Sequence, residues 1–170
     1  MPVRGVISWR DAVRVAVPAA ALLVAISVLA SCRLPLPGRS ARRPDDAIEF
    51  NSHWYKVYEA DLSWHEARDL CLQAGGYMAC IETAEEQAFI AGLADGRYLS
   101  LGGTDEADEG KWVWCNGSEF KYECWMSGQP NNYGGDEHYL ATYDGGEWVD
   151  VAARGDGFWM PTGYICEWDR

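Results

Sequence analysis

Between residues 47 and 96 the spacing of apolar and polar positions changes period twice. His53-Trp54-Tyr55-Lys56-Val57-Tyr58 alternates and is rich in β-formers, which predicts an opening strand. The spacing then becomes helical, with Trp64, Ala67, Leu70, Cys71 and Ala74 on one face. Ser63 followed by Glu66 is a capping box, in which hydroxyl and carboxylate satisfy amides that a first helical turn leaves without partners. Gly75-Gly76 predicts a left-handed end to this helix. A second box, Thr83-Ala84-Glu85-Glu86, predicts another helix with Phe89, Ile90 and Leu93 facing inward, ending before Asp95-Gly96. No helical period recurs after that. Residues 98–101, 111–114, 120–125, 139–143 and 164–168 are short strand-like runs separated by Gly, Asn and Asp. Two helices followed by strands predict an α+β domain.

The first 46 residues have a different pattern. Arg4, Arg10 and Arg14 precede an apolar run over residues 15–30, the arrangement of a secretory signal. The run is slightly short for a membrane span of about 20 residues and holds Pro18, with a single-pass anchor as the alternative. It ends Leu29-Ala30-Ser31-Cys32, which looks like the lipobox of bacterial lipoproteins; the competing reading is an ordinary cleavage site beside an incidental Cys. Residues 1–31 are therefore expected to be a signal peptide with lipobox, and lipidation is expected at Cys32. Residues 32–46, with three prolines and four arginines, are expected to be a solvated tether, and 47–170 the folded domain. These boundaries predict an exported lipoprotein on the cell surface or periplasmic face.

Composition narrows the function. The 170 residues carry 14 Lys and Arg against 26 Asp and Glu, a net charge of −12. From residue 47 onward there are seven basic and 23 acidic residues. Nucleic-acid binding needs a basic surface and is excluded. His65-Glu66 lacks the second His that a zinc-protease helix needs. There is no Gly-x-Ser-x-Gly elbow, phosphate-binding loop or Cys-x-x-Cys pair, so no enzyme is expected.

Several segments occur together in one order: "WHEARDLC", "GGYMACIETAEEQAFI", "LSLGGTDEADEGKWVW", "QPNN" followed by "EHYL", "EWVD" and the closing "GYICEW". On these, residues 50–170 resemble a C-type lectin-like domain. The resemblance implies an α+β fold of two helices, two small mostly antiparallel sheets and a long loop region carrying the ligand site. It also implies a disulfide between Cys71 and Cys166. The family's second bridge has no counterpart, because Tyr139 stands at its first Cys. Cys115 and Cys124 are a further candidate pair, flanking Asn116-Gly117. Cys80 reads as a small buried residue.

Calcium takes six to eight oxygens, and Gln129-Pro130-Asn131, Glu137 and Asp150 supply carboxylates and amide carbonyls. In the family such residues hold the ion while two sugar hydroxyls complete its shell, and the X-Pro bond is usually cis. A turn at Gly145-Gly146 is expected to place Asp150 near Ala141. Val149 stands where sugar-binding members have Asn, which removes one oxygen. Gln-Pro-Asn lies between the family's mannose-type Glu-Pro-Asn and galactose-type Gln-Pro-Asp, leaving the sugar open. Asp105 and Glu109, with Asn132, resemble part of an auxiliary calcium site in which His138 replaces an acidic partner; the competing reading is a solvated acidic loop. Tyr133, Phe158 and Trp159 sit in loop-like sequence near the expected site, where a ring can stack on a sugar face or anchor a protein. Trp112 and Trp114 share a strand face and are expected to pack the core. The expected function is calcium-dependent sugar binding by a surface-tethered lectin. Its alternative is a calcium-independent module that recognises a protein through loops 126–137 and 151–162.

Overall fold

Residues 42–154 and 160–170 are described by the computed structural model; the expected signal segment, Cys32, most of the tether, Phe158 and Trp159 lie outside the described residues. Eight strands and two helices follow in the order β1 (Ile48–Phe50), β2 (His53–Glu59), α1 (Trp64–Gln73), β3 (Tyr77–Met78), α2 (Ala84–Ala94), β4 (Leu99–Thr104), β5 (Val113–Trp114), β6 (Glu137–Thr142), β7 (Trp148–Ala152) and β8 (Gly163–Asp169). Among the described residues no helix is long and apolar enough to cross a membrane.

The strands form two antiparallel groups. β1, β2 and β3 gather on β8, and β5, β6 and β7 gather around β4. They meet where β4 runs parallel to β8, pairing Leu99 with Gly163 and Ser100 with Tyr164. The two expected sheets are thus joined by a short parallel ladder. The opening strand expected at residues 53–58 is β2, and β1 pairs with it as a hairpin; Asn51 and Ser52 divide them, both with positive φ (47° and 71°), the backbone a two-residue hairpin turn demands.

Both helix starts follow from their caps. At α1 the box is complete: Ser63 Oγ accepts the Glu66 amide at 3.3 Å and Glu66 Oε2 accepts the Ser63 amide at 2.8 Å. At α2 only half of it forms. Thr83 Oγ1 accepts from the Glu86 amide at 3.1 Å, whereas the Glu86 carboxylate is buried and takes the Tyr55 hydroxyl at 2.6 Å and the Glu82 amide at 2.8 Å. The carboxylate that would cap the helix instead ties it to β2. On α1, Trp64, Ala67 and Cys71 are buried, but Leu70 turns outward.

Residues 120–125 are not a strand. They run irregularly, with a single bridge from Trp125 to Trp148. Trp148 explains why this stretch is held without a ladder: it is fully buried and surrounded by Trp114, Phe120, Tyr122 and Trp125, with ring centroids 5.6–6.0 Å away. Its indole donates to Gln87 Oε1 at 2.7 Å, fastening the cluster to α2. Its backbone accepts from Met126 at 2.9 Å and donates to Cys124 O at 2.8 Å. Aromatic edge-to-face packing and two main-chain bonds do the work of a strand pair. Trp114 is in the core as expected, and Trp112 packs partly buried against Trp125 at 4.8 Å.

The five cysteines of the described residues are present as thiols. Cys71 on α1 and Cys166 on β8 are buried and line the same cavity of about 200 Å³. The Cys166 hydrogen bond and burial push the Cys71 thiol up. The hairpin that Cys115 and Cys124 were expected to staple does not form, because 120–125 packs through its rings. Cys115 Sγ instead lies 3.8 Å from Cys80 Sγ.

Candidate functional site

β6 and β7 carry the acidic half of the site. The turn between them, Asp144–Gly146, pairs Leu140 with Asp150 and Ala141 with Val149, one residue from the expected register. Val149 and Asp150 are adjacent, 5% and 3% exposed, yet both line a cavity of about 510 Å³.

The loop before β6 supplies the amide half. The Gln129-Pro130 bond is cis, and the Gln129 amide closes a turn on Met126 O at 2.9 Å. Asp150 then organises the backbone: its carboxylate accepts from the Asn131 amide at 2.9 and 3.1 Å and from the Asn132 amide at 2.6 Å. Asn131 Nδ2 donates to Gln129 Oε1 at 2.8 Å. Asn132 adopts positive φ (43°), its Oδ1 accepting from the Glu137 amide at 3.1 Å while Glu137 Oε2 accepts from the Tyr133 amide at 2.8 Å. This reciprocal pair folds the glycine-rich excursion back onto β6.

Gln129, Asn131, Glu137 and Asp150, spread over 22 positions of sequence, therefore line one cavity together with Tyr133, which is 80% exposed. Burial raises the Glu137 carboxyl, as do the Asp150 and Asp136 charges, against the Tyr133 amide that favours ionisation. Carboxylates crowded in this way are what a divalent cation relieves. The donor set suits calcium in kind, being all oxygen, but Val149 contributes none, so external oxygens must make up the coordination number. Tyr98, Met126 and Tyr143 also line the cavity, and Tyr98 meets Tyr143 edge-on at 5.5 Å. Met126 belongs to the 126–137 loop expected to form a recognition surface, whereas Tyr98 and Tyr143 were missed because they flank strands over 40 positions apart and carry no motif.

The auxiliary group is partly assembled. His138 Nδ1 lies 3.1 Å from Asp105 Oδ1 and 3.2 Å from Glu109 Oε2, and the other Asp105 oxygen accepts the Gly110 amide at 2.7 Å. The imidazole thus sits between two carboxylates. The Asn132 side chain accepts from the Glu137 amide. A second group went unforeseen: buried Glu167 on β8 bonds to His53 on β2 and, at 3.0 Å, to the Tyr77 hydroxyl, and Asp169 lies beside His53 at 3.9 Å. No motif signals it, because strand pairing brings these residues together.

A family model described as Lectin C-type domain matches residues 60–167. The galactose-specific lectin nattectin of Thalassophryne nattereri is 29% identical over 135 residues, covering 73% of this chain and 85% of that protein. C-type lectin domain family 4 member M of Nomascus concolor is 30% identical over 124 residues, covering 70% of this chain but 31% of that longer protein. Among solved structures, the cow C-type carbohydrate-recognition domain of CD23, crystallised in the presence of an oligosaccharide, superposes with a TM-score of 0.70 at 26% identity, covering 75% of this chain and 96% of that one.

Proposed function

The chain belongs to the C-type lectin domain family, a family of binding proteins rather than enzymes, and from that premise we propose that its domain binds carbohydrate in a calcium-dependent manner at the β6–β7 face. The observation that carries this reading is the convergence of Gln129, Asn131, Glu137 and Asp150 on one cavity beside the exposed Tyr133 ring. These four side chains would hold calcium, which when bound supplies positive charge and open positions for two neighbouring sugar hydroxyls. The chain's own contribution is orientation. Asp150 fixes the backbone of Asn131 and Asn132, and Glu137 fixes that of Tyr133, so the oxygen donors and the ring are presented together. An exposed tyrosine face is suited to stack on the apolar face of a pyranose.

Val149 favours a second reading, recognition of a protein ligand without metal, because the apolar side chain takes a ligand position and leaves the wall of the cavity apolar. Calorimetric titration separates the two. Heat on adding calcium, and glycan-array binding abolished by chelator, supports the lectin reading; no heat and no thermal shift at several millimolar calcium overturns it. We further propose that the domain is exported and held at a membrane through lipid on Cys32, in keeping with the signal-like run that precedes it.

A further inference from the structure

Two cysteines outside the family's expected bridge meet beside Gly102. Cys80 follows β3 and is 2% exposed, whereas Cys115 follows β5 and is half-buried. Their Sγ atoms are 3.8 Å apart, and both face the Met78 carbonyl, at 3.2 Å from Cys80 and 3.6 Å from Cys115. Gly102, in the middle of β4, brings them together. Its amide donates to Ala79 O at 2.8 Å and its carbonyl accepts the Cys115 amide at 2.9 Å, so the segments bearing the two thiols are both bonded to this one residue. A Cβ at Gly102 would stand 2.8 Å from Cys115 Sγ and 2.9 Å from Cys80 Sγ. The glycine is required here for space: the room it leaves is filled by two sulfurs.

We propose that Cys80 and Cys115 are a modification site that closes to a disulfide beside Gly102 by exchange with a disulfide oxidant, either a small molecule such as glutathione disulfide or an oxidoreductase's cystine. The half-buried Cys115 reacts first. Its thiolate attacks one sulfur of the oxidant, that S–S bond breaks, and one thiol leaves. Cys80 then loses its proton to solvent and attacks the Cys115 sulfur of the mixed disulfide, expelling the second thiol. The two cysteines lose two protons and two electrons in all, and the oxidant is reduced to two thiols. Burial holds Cys80 protonated, and its S–H bond to Cys115 favours thiolate at Cys115, which matches that order. Closing the contact to a bond of about 2.05 Å draws together two sulfurs that already touch, while Gly102 holds both backbone segments through its amide and carbonyl. The site is independent of the carbohydrate reading. Once Cys71 joins Cys166 as well, as the family resemblance implies, Cys124 is the single free thiol among the described residues.

Peptide mapping tests it on the full-length chain, purified without reductant, incubated folded with glutathione disulfide, then blocked with N-ethylmaleimide in denaturant and digested. The expected result is a linked Cys80–Cys115 peptide that disappears on reduction, with N-ethylmaleimide on Cys124, and the same link in Cys124→Ser. Recovery of Cys80 and Cys115 blocked by N-ethylmaleimide, either one carrying glutathione, or either one linked to a different cysteine overturns the proposal.

Discussion

At position 149 an isopropyl group lines the cavity next to the oxygen donors of Gln129, Asn131, Glu137 and Asp150, and the register Ala141 to Val149 places it on the strand that carries Asp150. Replacing Val149 by Asn restores an amide oxygen at that wall. The expected outcome is calcium affinity tighter by about tenfold, roughly 1.4 kcal/mol, in calorimetric titration, with Glu137→Gln losing affinity instead. Glu167 sets a different kind of expectation. Burial raises its carboxyl to about 7 despite the Cys80 amide and His53, which favour ionisation. Burial also works against charge on His53, yet the Glu167 hydrogen bond and charge prevail and raise it above 6.5. Both groups hold protons in the folded chain that the unfolded chain has released, so stability contributed here falls as pH rises through about 7. Urea midpoints should show a loss of about 1–3 kcal/mol between about pH 5.5 and pH 8, and Glu167→Gln should flatten that slope. Gln129, Asn131, Glu137 and Asp150 were legible because short-range chemistry marks them. Glu167 was not, since nothing local distinguishes a buried acid paired across strands from a solvated one.

Elements with local signals were legible, and elements defined by distant partners were not. Both helices begin where their caps place them, because Ser63 and Thr83 satisfy amides within one turn. The 120–125 run has the composition of a strand, but Trp148, more than 20 positions away, captures its rings and leaves it without a ladder. β3 was invisible for the same reason: its two residues exist as a strand only through Glu167 and Cys166 on β8. Deleting the Trp148 ring tests how far that cluster supports the binding loop. Trp148→Phe keeps an aromatic centre but loses the bond to Gln87, and should cost about 1–3 kcal/mol in urea unfolding. It should also raise hydrogen exchange in 120–126 ahead of β2 and β8. The α1–β8 tie acts at this scale as well. If Cys71 and Cys166 close, the enclosed loop of about 95 residues is worth about 4–5 kcal/mol in the chain-entropy model, and Cys71→Ala should lower the urea midpoint of the oxidised chain accordingly.

Charge is unevenly distributed along the whole sequence. From residue 47 onward 23 acidic residues face seven basic ones, whereas residues 1–43 hold seven arginines and one aspartate. Net negative charge opposes adsorption to anionic headgroups, so under the proposed lipidation the acyl chain on Cys32 would supply the attachment. On this reading Cys32→Ala removes the attachment without touching the fold, since the residue precedes the domain by more than ten positions. The expected outcome is that the wild-type chain partitions with membranes and yields a mature N-terminus at a lipidated Cys32 by mass spectrometry, whereas Cys32→Ala loses the lipid and keeps the ligand titration of the wild type. A wild-type N-terminus that retains residues 1–31 would instead identify a transmembrane anchor, because an apolar run that is never cleaved has to remain in the bilayer.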